Sequence, residues 1–325
     1  MNDSLFVIIG PTASGKTRMA VQLAARLGGE IISADSRQVY RGMDVGTGKD
    51  IAEYQLCGKE IPYHLIDIVP AGERYNVYRY LHDFYQAYQD IGRRGAVPLL
   101  CGGSGMYIEA VCRGFDMPQV PENKELRREY EHLSHKELVS RLSAYAPLHN
   151  TTDTESRKRL IRAIEIAHWK RTNFVSTTGY PKLKPCIVGL YLPAEERRAR
   201  IDRRLEERLQ TGLIEEAQRL MQRTEQTEQA AKRSERGRQA GLSVEDMMYY
   251  GLEYKYLALY LTGVLSYDEM KQQLRIAIHQ FAKRQMTWFR GMERRGLSIS
   301  WIDAMQRDEE VVKEALLYCG REGCP

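Results

Sequence analysis

Between the apolar run LFVIIG (5–10) and a helix-like stretch from residue 15 onward lies GPTASGKT, residues 10–17. This segment restricts the fold more than any other. Its spacing, GxxxxGK[ST], puts small residues where backbone N–H groups converge on oxygen atoms at a helix N-terminus. Lys16 adds a point charge, and the Thr17 hydroxyl is placed to ligate a magnesium ion. Gly10, Pro11, Thr12, Ala13, Ser14, Gly15, Lys16 and Thr17 therefore read as a cradle for phosphate oxygens. The loop alone leaves open whether they belong to a nucleotide or to another diphosphate.

Strand-like and helix-like stretches alternate beyond it. LFVIIG is followed by helical periodicity over 15–27, closed by Gly28-Gly29. GEIISADS, HLIDIV (64–69) and AVPLLCGGSG (96–105) read as further strands, with a helix-like stretch over 75–91. Such alternation predicts a parallel sheet wound on both faces, with ligands at the carboxyl ends of its strands. After Gly114 the chain turns polar and helical, opened by Pro118 and Pro121, until KPCIVGLYLP (184–193) supplies another strand. The expected class is α/β, a P-loop NTPase-like parallel sheet with a helical insertion. Residues 1–117 form the first part of the core, 118–182 the insertion, and 183–325 the second part with basic C-terminal helices. Residues 221–243 contain little to bury and read as a mobile loop or frayed helix.

Composition narrows the setting. Hydrophobic residues make up 43% and charged residues 28% of 325, as in ordinary water-soluble domains. No apolar run approaches the ~20 residues of a membrane span, and the basic n-region of a signal peptide is lacking, so a cytoplasmic location is expected. The six cysteines form no CxxC pair and read as free thiols. A net charge of +5 is mild, but basic residues crowd 157–171, 197–208 and 283–295. Solvated helix faces and a polyanion partner both account for such crowding.

A hydrolase of ATP or GTP usually ends a later strand in a magnesium-binding Asp. Here AVPLLC ends in Gly102-Gly103-Ser104, and Asp67 of HLID is a possible magnesium neighbour. ISADSRQVYRGMDVGTGK (32–49) instead closely resembles a signature of the tRNA dimethylallyltransferases, or isopentenyl-tRNA transferases. The resemblance continues in PYHLIDI (62–68), LLCGGSGMYIEAV (99–111), RLIRAIEI (159–166), RIDRRLEERL (200–209) and AKRQMTWFR (282–290).

The resemblance implies that the cradle binds dimethylallyl diphosphate with Mg2+, and that no nucleotide is consumed. The N6 amine of adenine 37, in tRNAs reading codons that begin with U, attacks the allylic C1 carbon. Matched positions assign Asp35 as proton acceptor, Arg204 as a diphosphate contact and Ser104, in place of a commoner threonine, as a substrate-touching hydroxyl. The alternative role for Asp35 is an N-cap or magnesium ligand. The same matching assigns the anticodon arm to Asp35, Ser36, Arg37, Gln38 and Ser104. It adds Lys158, Arg159, Leu160, Ile161 and Arg162 on one helix, and Lys283, Arg284, Gln285, Thr287 and Arg290 on another. From periodicity alone both helices are amphipathic: Leu160, Ile161, Ile164 and Ala167 form one buried side, and Leu274, Ile278, Phe281 and Trp288 an apolar stripe. Phe281, Trp288 and Phe289 read as core.

The chain departs from the family pattern at Leu252 and Glu253, where tyrosine and arginine are expected, and at His279, where threonine is common. A carboxylate at 253 facing RNA would repel it, which implies altered or weaker tRNA recognition. Rival readings are an enzyme that prenylates free AMP or ADP, a P-loop nucleotide kinase or ATP-driven RNA-binding switch, and a non-catalytic RNA-binding remnant. A monomer is expected, with no membrane partner.

Overall fold

A computed structural model of the chain describes residues 3–115, 117, 120–145, 156–173, 179–222 and 241–321. Most of the 221–243 stretch therefore lies outside the described residues, as do Pro118, the Cys319 side chain and Cys324.

Six strands form one parallel sheet: Ser4–Ile9 (β1), Gly29–Ala34 (β2), Tyr63–His64 (β3), Val97–Gly102 (β4), Lys184–Tyr191 (β5) and Ser300–Asp303 (β6). Their spatial order is β6-β5-β1-β4-β2-β3. Every pairing is parallel. β1 lies inside the sheet, and its last five residues are all buried, as suits a strand covered by helices on both faces. The helices are Lys16–Leu27 (α1), Val77–Arg93 (α2), Gly105–Cys112 (α3), Lys124–Tyr130 (α4), His135–Tyr145 (α5), Arg157–Thr172 (α6), Ala194–Gln210 (α7), Leu213–Met221 (α8), Val244–Tyr250 (α9), Leu252–Leu261 (α10), Tyr267–Arg294 (α11) and Asp308–Arg321 (α12).

HLIDIV does not form one strand. Only its first residue belongs to β3. Leu65 and Asp67 adopt left-handed φ angles of 63° and 56°, and the chain leaves the sheet. Val69–Pro70 then pairs in parallel with Tyr40–Arg41 in a separate ribbon. The bend serves Lys49, which is 1% exposed. Its ammonium donates to the Tyr40 carbonyl at 2.7 Å, to Asp44 Oδ1 at 2.6 Å and to the Asp67 carboxylate. A buried ammonium needs this full set of acceptors. An apolar run with a carboxylate inside it looks like a strand until that partner is known.

The described chain divides into two compact units, Met1–Gly114 with Pro181–Pro325, and Phe115–Tyr180. The second unit has its own core of Leu126, Tyr130, Leu138, Leu142, Leu160 and Ile164. At its centre the buried Glu165 accepts two bonds from Arg127, at 2.6 and 2.9 Å, one from Arg162 at 2.9 Å and one from the Asn123 N–H at 3.1 Å. These bonds tie α6 to α4 and to the segment before it.

In the first unit, β2 and β4 approach closely at their carboxyl ends. A Cβ on Gly102 would stand 2.2 Å from the Ala34 carbonyl oxygen, so glycine is required there. The approach brings the segments after the two strands, which begin at Asp35 and Gly103, side by side.

Candidate active site

The carboxyl ends of β1, β2 and β4, with residues from α7, α10 and α11, enclose a cavity of about 1100 Å³. The 10–17 loop forms its floor. Ala13 and Gly15 both take left-handed φ, 62° and 84°, flanking Ser14. Such alternation turns successive N–H groups toward one point. Gly10 has no room for a side chain, because a Cβ would lie 2.5 Å from Ser14 Oγ. Ser14 Oγ is itself buried and has no hydrogen-bond partner among the described residues. Thr12, Ala13, Gly15, Lys16 and Thr17 line the cavity, while Gly10, Pro11 and Ser14 lie behind them. Burial holds the Lys16 ammonium below the ordinary lysine range, with the Cys101 thiol and the Asp35 carboxylate pulling the other way.

Opposite the loop stand Asp35, Ser36 and Ser104. Asp35 Oδ1 accepts the Arg37 N–H at 2.9 Å in a two-residue turn. Its Oδ2 has no hydrogen-bond partner among the described residues. The Ser36 N–H donates to Ser104 Oγ at 2.9 Å, and Ser104 Oγ in turn donates to Ser36 Oγ at 3.2 Å. These bonds hold the Ser104 hydroxyl against the segment that carries Asp35. Gln38 is occupied internally, with its amide donating to the Gly48 carbonyl at 2.9 Å and accepting from the Ser33 hydroxyl at 3.1 Å.

Helix α7 supplies the cationic wall. Arg204 bonds the Asp50 carboxylate and lies 3.5 Å from the Gly48 carbonyl. Arg208, one turn later, packs so tightly on Gly48 that a Cβ there would overlap its guanidinium at 1.6 Å. Burial lowers the Arg208 pKa to about 10, reinforced by the neighbouring Arg204 charge. Glu253 approaches it to 3.8 Å, and burial raises the pKa of that carboxylate. The loop beneath these arginines is anchored from outside the cavity. Buried Glu216 of α8 accepts the N–H groups of Asp44, Val45 and Gly46 at 2.7, 2.8 and 2.9 Å and the Tyr254 hydroxyl at 2.7 Å.

Helix α11 closes the remaining side. Gln285, 6% exposed, accepts the Thr12 N–H and donates to the Gly103 carbonyl, both at 2.9 Å. Its side chain therefore bridges two loops of the site rather than facing an RNA partner. Phe289 is fully buried, as expected, but Phe281 is 40% exposed and lines the cavity with Trp288. The apolar stripe thus spreads from core to cavity wall, because α11 passes the end of the sheet.

Several sequence expectations need correction. Asp67 is absent from the cavity wall and pairs with Lys49. Glu253 stands on helix α10 and turns to Arg208 rather than outward. His279 pairs with Asp202 at 2.7 Å and fastens α11 to α7. Leu160 is fully buried in the helical unit and offers no outer contact, whereas Ile161 packs against that core and is half-buried. Arg162 donates to Glu165 and to the carbonyls of Val120 and Pro121. Lys158 and Arg159 are exposed on that helix, and Lys283, Arg284, Thr287 and Arg290 on α11. Of these six, Arg284 reaches the cavity wall. Sequence reasoning missed Asp50, Arg208 and the Gly46–Gly48 segment as site elements. The i, i+4 spacing of Arg204 and Arg208 is a signal that could have located the second arginine.

Comparison with known proteins now decides the family. The IPP transferase family model matches residues 38–292, and the isopentenyl transferase model matches residues 3–60. The chain belongs to the IPP transferase family. A tRNA dimethylallyltransferase 2 of Porphyromonas gingivalis is 52% identical to it over 98% of this chain and 100% of the relative. The tRNA isopentenylpyrophosphate transferase of Bacillus halodurans, a solved structure, is 30% identical and superposes with a TM-score of 0.66 over 99% of this chain and 97% of that one. The solved structure of a eukaryotic dimethylallyltransferase acting on tRNA shares the fold, with a TM-score of 0.71 at 19% identity over 98% of this chain and 79% of that one. These IPP transferase relatives place the chain among prenyltransferases, with their α/β core. Among the described residues, no helix is long and apolar enough to cross a membrane. Cys57, Cys101 and Cys112 are free thiols.

Proposed function

We propose that the chain transfers the dimethylallyl group of dimethylallyl diphosphate to N6 of adenine 37 in tRNAs reading codons that begin with U, releasing diphosphate. The carrying observation is that one cavity joins the 10–17 cradle to the Asp35 carboxylate. The cradle's N–H groups, Lys16 and the Arg204–Arg208 pair would hold the diphosphate oxygens, whose negative charge grows as the C1–O bond breaks. The N6 lone pair forms the new bond to C1, and the carbon–oxygen electrons leave with diphosphate. The amine becomes strongly acidic as that bond forms, and Asp35 Oδ2 is free to accept its proton. Ser104 would orient the base, held in place by Ser36.

The target base must leave its stack to enter, at a cost of a few kcal/mol. Phe281 and Trp288 give the cavity an apolar wall suited to a five-carbon chain. The exposed residues Lys158, Arg159, Lys283, Arg284, Thr287 and Arg290 are assigned to the tRNA, with the 115–180 unit serving the anticodon arm.

Mg2+ fits the oxygen donors present. Thr17 on the cavity wall is accompanied by the carboxylates of Asp35 and Glu53, and among the described residues no three His, Cys, Asp or Glu side chains converge to cage a metal without substrate. That suits an ion held by one or two protein oxygens, substrate phosphates and water. When bound, it would neutralise charge on the diphosphate. We assign the protein to the cytoplasm, as a monomer.

The test is incubation with magnesium, dimethylallyl diphosphate and either unmodified tRNA or AMP, followed by mass spectrometry of the nucleosides. Prenylated adenosine in tRNA alone supports the proposal. Product from AMP alone would replace the polymer substrate with a free nucleotide.

A further inference from the structure

Two arginines, one of them the cavity-lining Arg37, converge on one tyrosine. Arg37 Cζ lies 5.3 Å from the centroid of the Tyr249 ring, and Arg74 Cζ lies 5.1 Å from the same centroid. The two cations thus lie no more than about 10 Å apart, a separation comparable to the Debye length, so like charge is concentrated around one ring. Each guanidinium is attracted to the face of the ring, and an anion beside the pair would offset their like charge.

The ring is firmly held. Tyr249 donates its hydroxyl to the Tyr75 carbonyl at 3.0 Å and meets Tyr250 edge-on at 5.2 Å. Tyr250 in turn accepts the Gly72 N–H at 2.6 Å and donates to the Glu73 carbonyl at 3.2 Å. The strap before α2 is thereby fastened to α9, and Arg74 rides on it. Glu73 pairs with Arg79 at 3.3 Å, Asp246 caps α9 through Ser243, Asp35 Oδ1 takes the Arg37 backbone N–H, and Glu253 approaches Arg208 to 3.8 Å. No carboxylate among the described residues pairs with either guanidinium. Arg37 is half-buried and lines the cavity, whereas Arg74 is exposed. The pair therefore runs from beside Asp35 out to solvent.

We propose that Arg37, Tyr249 and Arg74 form a phosphate-gripping rim that holds the RNA backbone next to the everted adenine. Arg74 and Tyr249 are thereby added to the residues that bind this partner. The inference rests on the tRNA reading above. An everted nucleotide leaves its flanking phosphates at the mouth while its base enters, and planar guanidiniums suit phosphate oxygens there. Tyr249 keeps the two side chains in place, which lowers the entropy lost on binding.

The experiment measures Kd for unmodified tRNA across a salt series, separately from prenyl transfer. Arg74→Ala is expected to weaken tRNA binding about three- to tenfold and to reduce the log Kd against log salt slope by about one. Arg74→Glu should weaken it further, and Arg74→Lys should restore most of the affinity. The loss should appear in KM for tRNA and leave KM for dimethylallyl diphosphate in place. Unchanged affinity and slope in both Arg74→Ala and Arg74→Glu would overturn the rim. So would an equal loss of binding to polyglutamate, which would assign a general anion surface. Wild-type protein that binds tRNA but transfers no prenyl group would refute the proposed reaction and leave the rim standing.

Discussion

Gln285 joins Thr12 to the far side of the site. Its side-chain oxygen takes the Thr12 N–H at 2.9 Å while its amide donates to the Gly103 carbonyl at the same distance. One residue of α11 therefore sets the spacing between the phosphate cradle and the segment that carries Ser104. A Cβ on Gly103 would stand 2.4 Å from the Gln285 amide nitrogen, so the fit leaves no slack.

Gln285→Ala leaves a half-buried N–H and a buried carbonyl unpaired and should cost about 1–3 kcal/mol of stability. Gln285→Glu keeps the acceptor for Thr12 but sets a negative charge beside the cradle. Pyrophosphate binding is expected to weaken more in the glutamate variant than in the alanine variant, while urea unfolding shows both destabilised. Equal pyrophosphate affinity in wild type and Gln285→Glu would contradict this role.

The sequence carried much of this arrangement, and the reason is local. The 10–17 loop, Asp35 and Ser104 follow strands whose apolar runs and terminal glycines are contiguous in the chain, so their place at the strand ends could be read directly. Glu253 and Gln285 could not be placed that way. Their partners, Arg208 and Thr12, lie far off in sequence, and a carboxylate beside a helix start looks like a surface charge until packing turns it inward. HLIDIV misled for the same reason, since buried Lys49 sets the bend. Phe281 and Trp288 share the helical period of true core residues, and only the end of the sheet beneath α11 separates wall from core.

Lys16 supplies a pH dependence. Burial keeps its ammonium below the ordinary lysine value in the folded protein. The unfolded chain binds that proton more tightly, so this group's contribution to stability rises as pH climbs from the lowered folded value toward the ordinary one. A bound diphosphate favours the charged form and reverses the shift. Pyrophosphate affinity should therefore fall as pH rises past the lowered value, with proton uptake on binding there. Lys16→Met should lose most of the affinity and its pH dependence, yet melt no lower than wild type without ligand. Calorimetry in buffers of different ionisation enthalpy reads the proton. Affinity that stays level from about pH 7 to 10 in wild type would refute the linkage.

Glu253 offsets positive charge inside the cavity, 3.8 Å from Arg208. Glu253→Gln should tighten pyrophosphate binding roughly three- to tenfold, the scale of a partly screened charge pair. The salt dependence of tRNA binding should not move, because this carboxylate does not face outward. Tighter tRNA binding with unchanged pyrophosphate affinity would restore the RNA-repelling role expected from sequence.

The central claim is that one carboxylate collects the amine proton beside a diphosphate held independently of it. Asp35→Asn keeps the shape of the side chain and removes its basicity. The direct measurement is single-turnover prenyl transfer to unmodified tRNA, followed by mass spectrometry, with pyrophosphate affinity measured on the same protein. The account predicts a fall in the transfer rate of about 10²–10⁴-fold with pyrophosphate affinity within about twofold of wild type. Transfer at the wild-type rate, or pyrophosphate binding lost together with transfer, would contradict it.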